Sequence, residues 1–120
     1  MNQELTGVRS VARGGITVAP KLSRTTEGVA VCRFTVATDA GPASRSLVKE
    51  IYVKGNPELA PSEDLPVKVQ AKLGLGDLVR VPGEELQRVR RRRGVEYVET
   101  AIQAEDVQLK QRAAERTGAP

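Results

Sequence analysis

One run of ten residues, Val29 to Thr38, constrains the fold more than any other part of the sequence. Its residues alternate between two faces, and the first face is Ala30, Cys32, Phe34 and Val36. The second face is Val31, Arg33, Thr35 and Ala37. Because successive side chains of a strand point to opposite sides, the alternation predicts a β-strand whose first face lies in the core. Arg33 then lies on the outer surface, and Cys32 is a small buried residue, with a reactive thiol as the alternative.

The residues before this strand predict a first strand and an irregular connection. Leu5 to Arg13 carries apolar residues among polar ones and predicts a curved strand that ends at Gly14-Gly15. Ile16 to Arg24 is expected to be irregular, because Pro20 interrupts it.

A turn and a third strand frame the central strand. Thr25 to Gly28 predicts the turn, with Gly28 at a positive φ. Leu47 to Lys54 predicts the third strand, bounded by Gly55. Its core side is expected to be Leu47, Lys49, Ile51 and Val53.

Prolines and glycines predict helix between the third and fourth strands. Asn56-Pro57-Glu58 has the pattern of a helix start, with an N-cap, a proline at the first position and then an acid. Pro61 and Pro66 prevent one unbroken helix, and a second short helix is expected over Val67 to Leu73, closed by glycines.

The last third of the chain returns to the strand pattern. Asp77 to Val81 predicts a strand that Pro82-Gly83 interrupts, and Leu86 to Ala104 predicts a hairpin whose return strand runs to about Leu109. Three strands, a helical segment and two strands indicate an all-β barrel interrupted once by helix.

The strongest charge feature lies in that hairpin. Five of the six residues from Arg88 to Arg93 are arginine, and Gly94 follows them directly. A glycine between two β-prone runs supplies the positive φ that a hairpin loop often requires. Because charges this dense repel one another, the expected counter-charge comes from outside the chain, and phosphate is the commonest candidate.

The composition excludes several kinds of chemistry. The chain has no histidine and one cysteine, which excludes intrachain disulfides, Cys/His zinc sites and histidine-dependent catalytic dyads. The adjacent acids Glu63-Asp64 and Glu84-Glu85 would point to opposite faces of a strand and could not share a proton or a metal ion. The sequence therefore predicts a protein without enzymatic activity, metal or cofactor.

Charge and hydropathy bear on partners and location. Met1 to Thr6 has no apolar core of the signal-peptide kind, and no apolar run approaches membrane-spanning length. A cytoplasmic protein without a membrane partner is expected, and the net charge of +4 favours a polyanionic partner.

Five segments, spread over roughly residues 3 to 110, resemble the bacterial single-stranded DNA-binding proteins of the OB-fold type. The resembling segments are Gly15 to Leu22, Thr26 to Thr38, Tyr52 to Gly55, Leu75 to Gly83 and Val98 to Val107. The resemblance implies a five-stranded Greek-key OB-fold barrel with one helical segment between strands 3 and 4. This domain would occupy residues 1–110, and residues 111–120 would form a short flexible tail.

The same resemblance implies a function and an assembly. It implies binding of single-stranded DNA in replication, repair or recombination, in the cytoplasm and associated with the nucleoid. It also implies a homodimer or homotetramer, often assembled through the first strand.

Departures from the family pattern shift the expected binding chemistry. Family members stack bases on several tryptophans, whereas this chain has none. Val48 and Lys54 stand where the family often has aromatic residues, and Leu75 stands where it often has a basic one. The sequence ends Thr-Gly-Ala-Pro, without the acidic, phenylalanine-tipped tail that recruits replication and repair partners. Because most of the stacking residues are missing, charge must supply most of the affinity. Arginine suits this role, since its guanidinium group pairs with phosphate and also stacks on bases.

The candidate nucleic-acid-binding residues combine a basic track with two tyrosines. They are Arg33, Lys49, Tyr52, Lys54, Arg80, Arg88, Arg90, Arg91, Arg92, Arg93 and Tyr97. Each candidate also has a non-functional interpretation. The single cations would be ordinary surface charges, the tyrosines would be packing residues, and the arginine cluster would be a solvated hairpin tip. The sequence does not decide between DNA and RNA as the ligand. Two alternative functions also stay open: an accessory protein that resembles primosomal replication protein N and contacts other replication proteins, and an OB-fold interaction module that binds an acidic protein surface.

Overall fold

The computed structural model describes residues 8–39 and 46–114, and the structural statements that follow concern those residues. The helix α1 spans Leu65–Lys72, after a 3-10 helix at Pro61–Glu63. The strands are β1 (Val8–Arg24), β2 (Ala30–Asp39), β3 (Ser46–Lys54), β4 (Leu78–Arg92), β5 (Val95–Ala104) and β6 (Gln108–Gln111). Within the described ranges, no helix is long and apolar enough to cross a membrane.

The first five strands close into a barrel. β1 pairs antiparallel with β2 and with β4, and β3 joins β5 through a short parallel pairing. The order β1-β2-β3-β5-β4 therefore returns to β1, and the short β6 lies beside the start of β4. A closed five-stranded barrel with one helix between β3 and β4 is the OB-fold architecture that the sequence predicted.

The core fills the barrel with the alternate residues of its strands. The predicted core face of β2 is confirmed, since Ala30, Cys32, Phe34 and Val36 are all buried. They pack with Ile51 and Val53 of β3, Val79 and Val81 of β4, Ile102 of β5 and Val69 of α1. Because Phe34 is the largest of the fully buried side chains, it contributes most to the packing of this core.

Cys32 lies inside this core, as the alternation predicted. Burial raises the pKa of its thiol from 9.0 to about 11, against a smaller lowering by a hydrogen bond with the backbone of Lys21. The thiol therefore stays protonated at neutral pH and packs as an apolar group.

β1 corrects the expectation of an irregular segment after the glycine pair. It continues to Arg24, and most of Ile16 to Arg24 is paired with β2. Pro20 is tolerated because it lies in a bulge, where the three steps from Val18 to Lys21 face the two steps from Thr35 to Arg33. The bulge accommodates a residue without an N–H group and bends β1 around the barrel.

β4 also continues through Pro82-Gly83, where an interruption was expected. Pro82 lies between the part of β4 that pairs with β6 and the part that pairs with β5, so its missing N–H group costs no bond to either strand. Gly83 is required by a close approach, because a Cβ there would overlap the carbonyl group of Gln103.

The helix predicted at Asn56 is wrong. The side-chain oxygen of Asn56 accepts a hydrogen bond from the N–H of Glu58 at 3.0 Å, and its carbonyl accepts one from Leu59 at 3.0 Å, which closes a turn. The carboxylate of the buried Asp64 accepts the N–H of Asn56 at 2.8 Å and holds that turn beside the helix. The second predicted helix is confirmed, with a start at Leu65.

The return strand predicted to run to about Leu109 ends at Ala104. The chain then turns, and β6 pairs with Leu78 to Arg80 at the start of β4. The buried Asp77 accepts a hydrogen bond from the N–H of Ala113 at 2.9 Å. Attachment to the barrel therefore extends past residue 110, and residues 115–120 of the predicted tail lie outside the described residues.

Candidate nucleic-acid interface

The outer face of β2 and β3 carries the first group of candidate residues. In the antiparallel register of these strands, Arg33 lies opposite Tyr52 and Val31 lies opposite Lys54. The guanidinium carbon of Arg33 lies 5.1 Å from the centre of the Tyr52 ring, which is a cation–π contact. Lys54 is exposed at the end of the same face. The fold therefore brings Arg33, Tyr52 and Lys54 together.

This β2–β3 outer face continues as a strip of paired residues toward the other end of the two strands. The next pairs are Thr35 with Glu50 and Ala37 with Val48, and Val48 is 60% exposed. The strip thus combines a stacked guanidinium, one lysine, one half-buried acid and exposed apolar surface. Single-stranded nucleic acids are held by this combination, in which cations meet phosphates and flat or apolar groups meet bases.

Lys49 lies apart from that strip. It follows the core-facing alternation of Ile51 and Val53 and is half-buried at one end of the barrel. Its Nζ lies 3.5 Å from Oε2 of Glu85, and the hydroxyl of Ser10 donates to Oε1 of the same carboxylate at 3.3 Å. The structure therefore places this candidate in an ion pair between β3 and β4, on the opposite face of β3 from Tyr52.

β4 and β5 extend past the barrel as a two-stranded ribbon of residues 87–100, here called the arginine ribbon. Its strands are in continuous antiparallel register from the pair Gln87–Thr100 to the pair Arg92–Val95. Among the described strands, this segment pairs only with itself. Arg93 and Gly94 form the turn with φ of 55° and 78°, which is the type I′ pattern of tight hairpins. The predicted positive φ at Gly94 is confirmed.

The register divides the arginines of the ribbon. Nη2 of Arg91 lies 2.7 Å from Oε2 of Glu96, the residue opposite it. Arg92 lies opposite Val95 and Arg93 lies in the turn. Both are exposed, and among the described side chains neither has an ion pair. Arg92 and Arg93 are therefore available to bind an anion, whereas Glu96 partly neutralises the charge of Arg91.

Three other candidates in the ribbon are placed by their backbone alone. Arg90 lies opposite Tyr97, and Arg88 lies opposite Glu99. The side chains of Arg88, Arg90 and Tyr97 lie outside the described part of the structure. Apolar surface accompanies the charges of the ribbon, since Val89 is 64% exposed and Val95 is 53% exposed.

Arg80 belongs to a different part of the surface. It lies twelve residues before Arg92 on β4, roughly 40 Å away along an extended strand. Its Nη1 donates to Oε1 of Gln108 at 3.1 Å, and Arg13 of β1 lies opposite it. The fold adds Arg13 and Lys110 to its surroundings, and sequence reasoning missed both. Strand pairing between distant segments brings them together, and no local pattern indicates it.

The buried acids of the described region accept hydrogen bonds from backbone N–H groups. Asp64 accepts the N–H of Asn56, and Asp77 accepts the N–H groups of Gly74 and Ala113. Within residues 8–39 and 46–114, no group of three or more Asp, Glu, Cys or His residues is arranged to hold a metal ion.

Comparison with known proteins supports the fold. No protein-family model and no curated protein matches the sequence. Among solved structures, the chain is similar to Rim1, a mitochondrial single-stranded DNA-binding protein from S. cerevisiae, with a TM-score of 0.68 and 13% identity. The match covers 89% of this chain and 98% of that one. At this identity the likeness concerns the fold, and the chain therefore shares its OB-fold barrel with that protein.

Proposed function

We propose that this protein binds single-stranded DNA, without catalysis, through the arginine ribbon and the β2–β3 outer face. The observation that carries the proposal is the 5.1 Å contact of Arg33 with the Tyr52 ring on that outer face. Strands 2 and 3 of OB barrels, with the adjoining loops, commonly bind oligonucleotides. A stacked guanidinium on this face offers both a charge for phosphate and a plane for a base.

The two surfaces divide the binding chemistry. The ribbon supplies charge, through Arg92, Arg93 and the partly neutralised Arg91. The outer face supplies stacking and apolar contact, through Tyr52 and Val48. Since the chain has no tryptophan and two tyrosines, we infer that phosphate contacts provide most of the affinity.

The biological setting follows from this chemistry as part of the proposal. We propose that the protein acts in DNA replication, repair or recombination, in the cytoplasm and associated with the nucleoid. We propose a homodimer or homotetramer as the working form.

Salt dependence tests the proposed mode of binding. Four or five phosphate contacts at about −0.7 per phosphate give a slope near −3 in a plot of log affinity against log salt concentration. Fluorescence anisotropy of a labelled oligo-dT at several salt concentrations measures this slope. A nearly flat slope, or no binding at low salt, would contradict the proposal.

Replacing the four residues from Arg90 to Arg93 with alanine tests the ribbon. This variant is expected to lose most of its binding, while its circular dichroism stays unchanged because the ribbon lies outside the core. The matched control also removes four positive charges, at Arg9, Arg24, Lys68 and Lys72, all of which are exposed. Equal losses in the two variants would mean that net charge alone matters and that the ribbon is a solvated tip.

Competition among nucleic acids tests the choice of partner. We expect a labelled single-stranded DNA to be displaced by unlabelled single strands and less well by the duplex of the same sequence. Stronger displacement by RNA would reassign the partner to RNA. A protein that binds none of the three would favour an interaction module that meets an acidic protein surface.

A further inference from the structure

A second basic site lies at the opposite end of β4 from the arginine ribbon. It is a cleft of about 540 Å³ between β1, β4 and β6. Its lining residues are Arg13, Gly14, Leu78, Val79, Arg80 and Lys110. Three cations from three strands therefore converge on one cleft, and none of its described lining residues is acidic.

The strand register makes this convergence costly in the absence of an anion. Arg13 lies directly opposite Arg80 in the antiparallel pairing of β1 with β4. Like charges directly opposite each other on neighbouring strands destabilise a sheet. Among the described residues, Arg13 and Lys110 have no ion pair, and Arg80 donates to the neutral side chain of Gln108.

The same strand provides an internal comparison. Arg9, four residues before Arg13, lies opposite Glu84 and forms an ion pair with Glu105. Among the described residues, Arg9 thus has two acidic neighbours, whereas Arg13 shares its cleft with two cations and no acid. Among the described residues, the fold supplies a balancing charge at Arg9 and none at Arg13.

We propose that the cleft formed by Arg13, Arg80 and Lys110, here called the β1–β4 cleft, binds phosphate groups. Two arginines offer forked N–H donors that match phosphate oxygens, and a lysine adds a third charge. The half-buried Leu78 gives the wall an apolar part, against which a sugar can pack. The cleft volume lies within the usual range of ligand pockets, about 300–1,000 Å³.

We assign the phosphates to a second segment of the same bound DNA strand. This assignment rests on the proposed function, whereas phosphate binding by the cleft does not. A strand that reaches both sites follows β4 from the ribbon to the cleft, roughly 40 Å along the strand. Free polyphosphate has the same chemistry and fits the same donors, so the experiment has one arm for each source.

The first arm uses sodium tripolyphosphate and thermal unfolding of the full chain. At matched ionic strength, tripolyphosphate is expected to raise the Tm of the wild-type protein above its value in sodium chloride, because a ligand that binds only the folded state stabilises it. Arg13→Gln and Lys110→Gln, both at exposed positions, should abolish this rise, and Arg9→Gln should retain it. A rise in Arg13→Gln equal to that of the wild type would overturn the proposal.

The second arm uses a length series of labelled oligo-dT. Arg13→Gln is expected to weaken binding of the longest strands by about tenfold, the effect of one lost charge-assisted contact, and to leave the shortest strands unaffected. An equal loss at every length, or no loss at the longest, would overturn the second-segment assignment.

The two arms keep the failure of each proposal distinct. If the Arg90 to Arg93 variant binds DNA normally, the ribbon hypothesis fails, whereas the tripolyphosphate response still decides whether the cleft binds phosphate. If tripolyphosphate fails to stabilise the wild-type chain, the cleft proposal fails and the ribbon hypothesis is untouched.

Discussion

β4 contains two regions that have opposite surroundings. In its barrel half, Val79 and Val81 are buried and the strand pairs with β1 on one side and with β6 or β5 on the other. In its ribbon half, from Gln87 to Arg92, the strand pairs with β5 alone and its described side chains are exposed. One strand thus contributes to the core at one end and carries the exposed arginine ribbon at the other. The described side chains of the ribbon lie outside the core, so arginine at those positions costs the barrel little packing.

A similar division separates the ribbon from the outer face of the barrel. The outer face holds the stacked pair Arg33 and Tyr52 on the barrel sheet, whereas the ribbon holds its cations on two strands and a tight turn. We infer that the sheet positions bases and that the ribbon attracts the phosphate backbone. Three substitutions test these divisions, in decreasing order of expected effect.

Phe34→Ala is expected to have the largest effect, on stability. Removing a buried phenylalanine side chain typically lowers the free energy of unfolding by about 3–5 kcal/mol. Urea denaturation followed by circular dichroism measures the loss. Arg92→Ala is the matched ribbon variant, and its stability should stay within about 0.5 kcal/mol of the wild type. Comparable losses in the two variants would break the division of β4 into a stabilising and a binding region.

Tyr52→Ala is expected to have an intermediate effect, on binding. Loss of one stacked base costs about 1–3 kcal/mol, or roughly 5- to 150-fold in affinity for oligo-dT. Tyr52→Phe keeps the ring and should bind like the wild type in the same anisotropy assay. If Tyr52→Ala also binds like the wild type, the outer face does not stack bases and all the affinity resides in charge.

Glu96→Gln is expected to have the smallest effect. It releases Arg91 from its ion pair, so the affinity for oligo-dT should rise a few-fold and the salt slope should steepen by up to about 0.7. Stability should change little, because exposed ion pairs contribute about 0–1 kcal/mol. Glu27→Gln, in the exposed turn between β1 and β2, removes the same charge as a control. A lower affinity in Glu96→Gln would mean that the acid positions Arg91 for binding.

The parts of the fold that local patterns determine were predictable from the sequence. The alternation of apolar and polar residues identified the buried face of β2. Gly28 and Gly94 identified two turns, and both glycines have a positive φ. Pro20 and Pro82 were misleading, because the tolerance of a proline in a strand depends on distant pairing partners. Pro20 lies in a bulge against β2, and Pro82 lies between two partners of β4. At Asn56, a side-chain oxygen accepting the N–H two residues on caps a helix or closes a turn equally well.

The candidate site shows the same limit. Residue type and spacing identified the arginines of the ribbon, yet the ion pair of Arg91 with Glu96 depends on the register that the turn imposes. The pairing of Lys49 with Glu85 and the opposition of Arg13 to Arg80 join segments far apart in the chain. Sequence patterns therefore reveal which charges are present, and the strand pairing decides which of them already have a partner.

The type I′ turn at Arg93-Gly94 also makes the reach of the cationic tip adjustable in discrete steps. Inserting two residues into each strand of the ribbon moves the tip outward by about 7 Å and keeps every arginine on its original side. Inserting one residue per strand turns every later side chain to the opposite side. Evolution or an engineer can therefore change how far the cationic tip reaches from the barrel, in increments of two residues per strand, without altering the barrel.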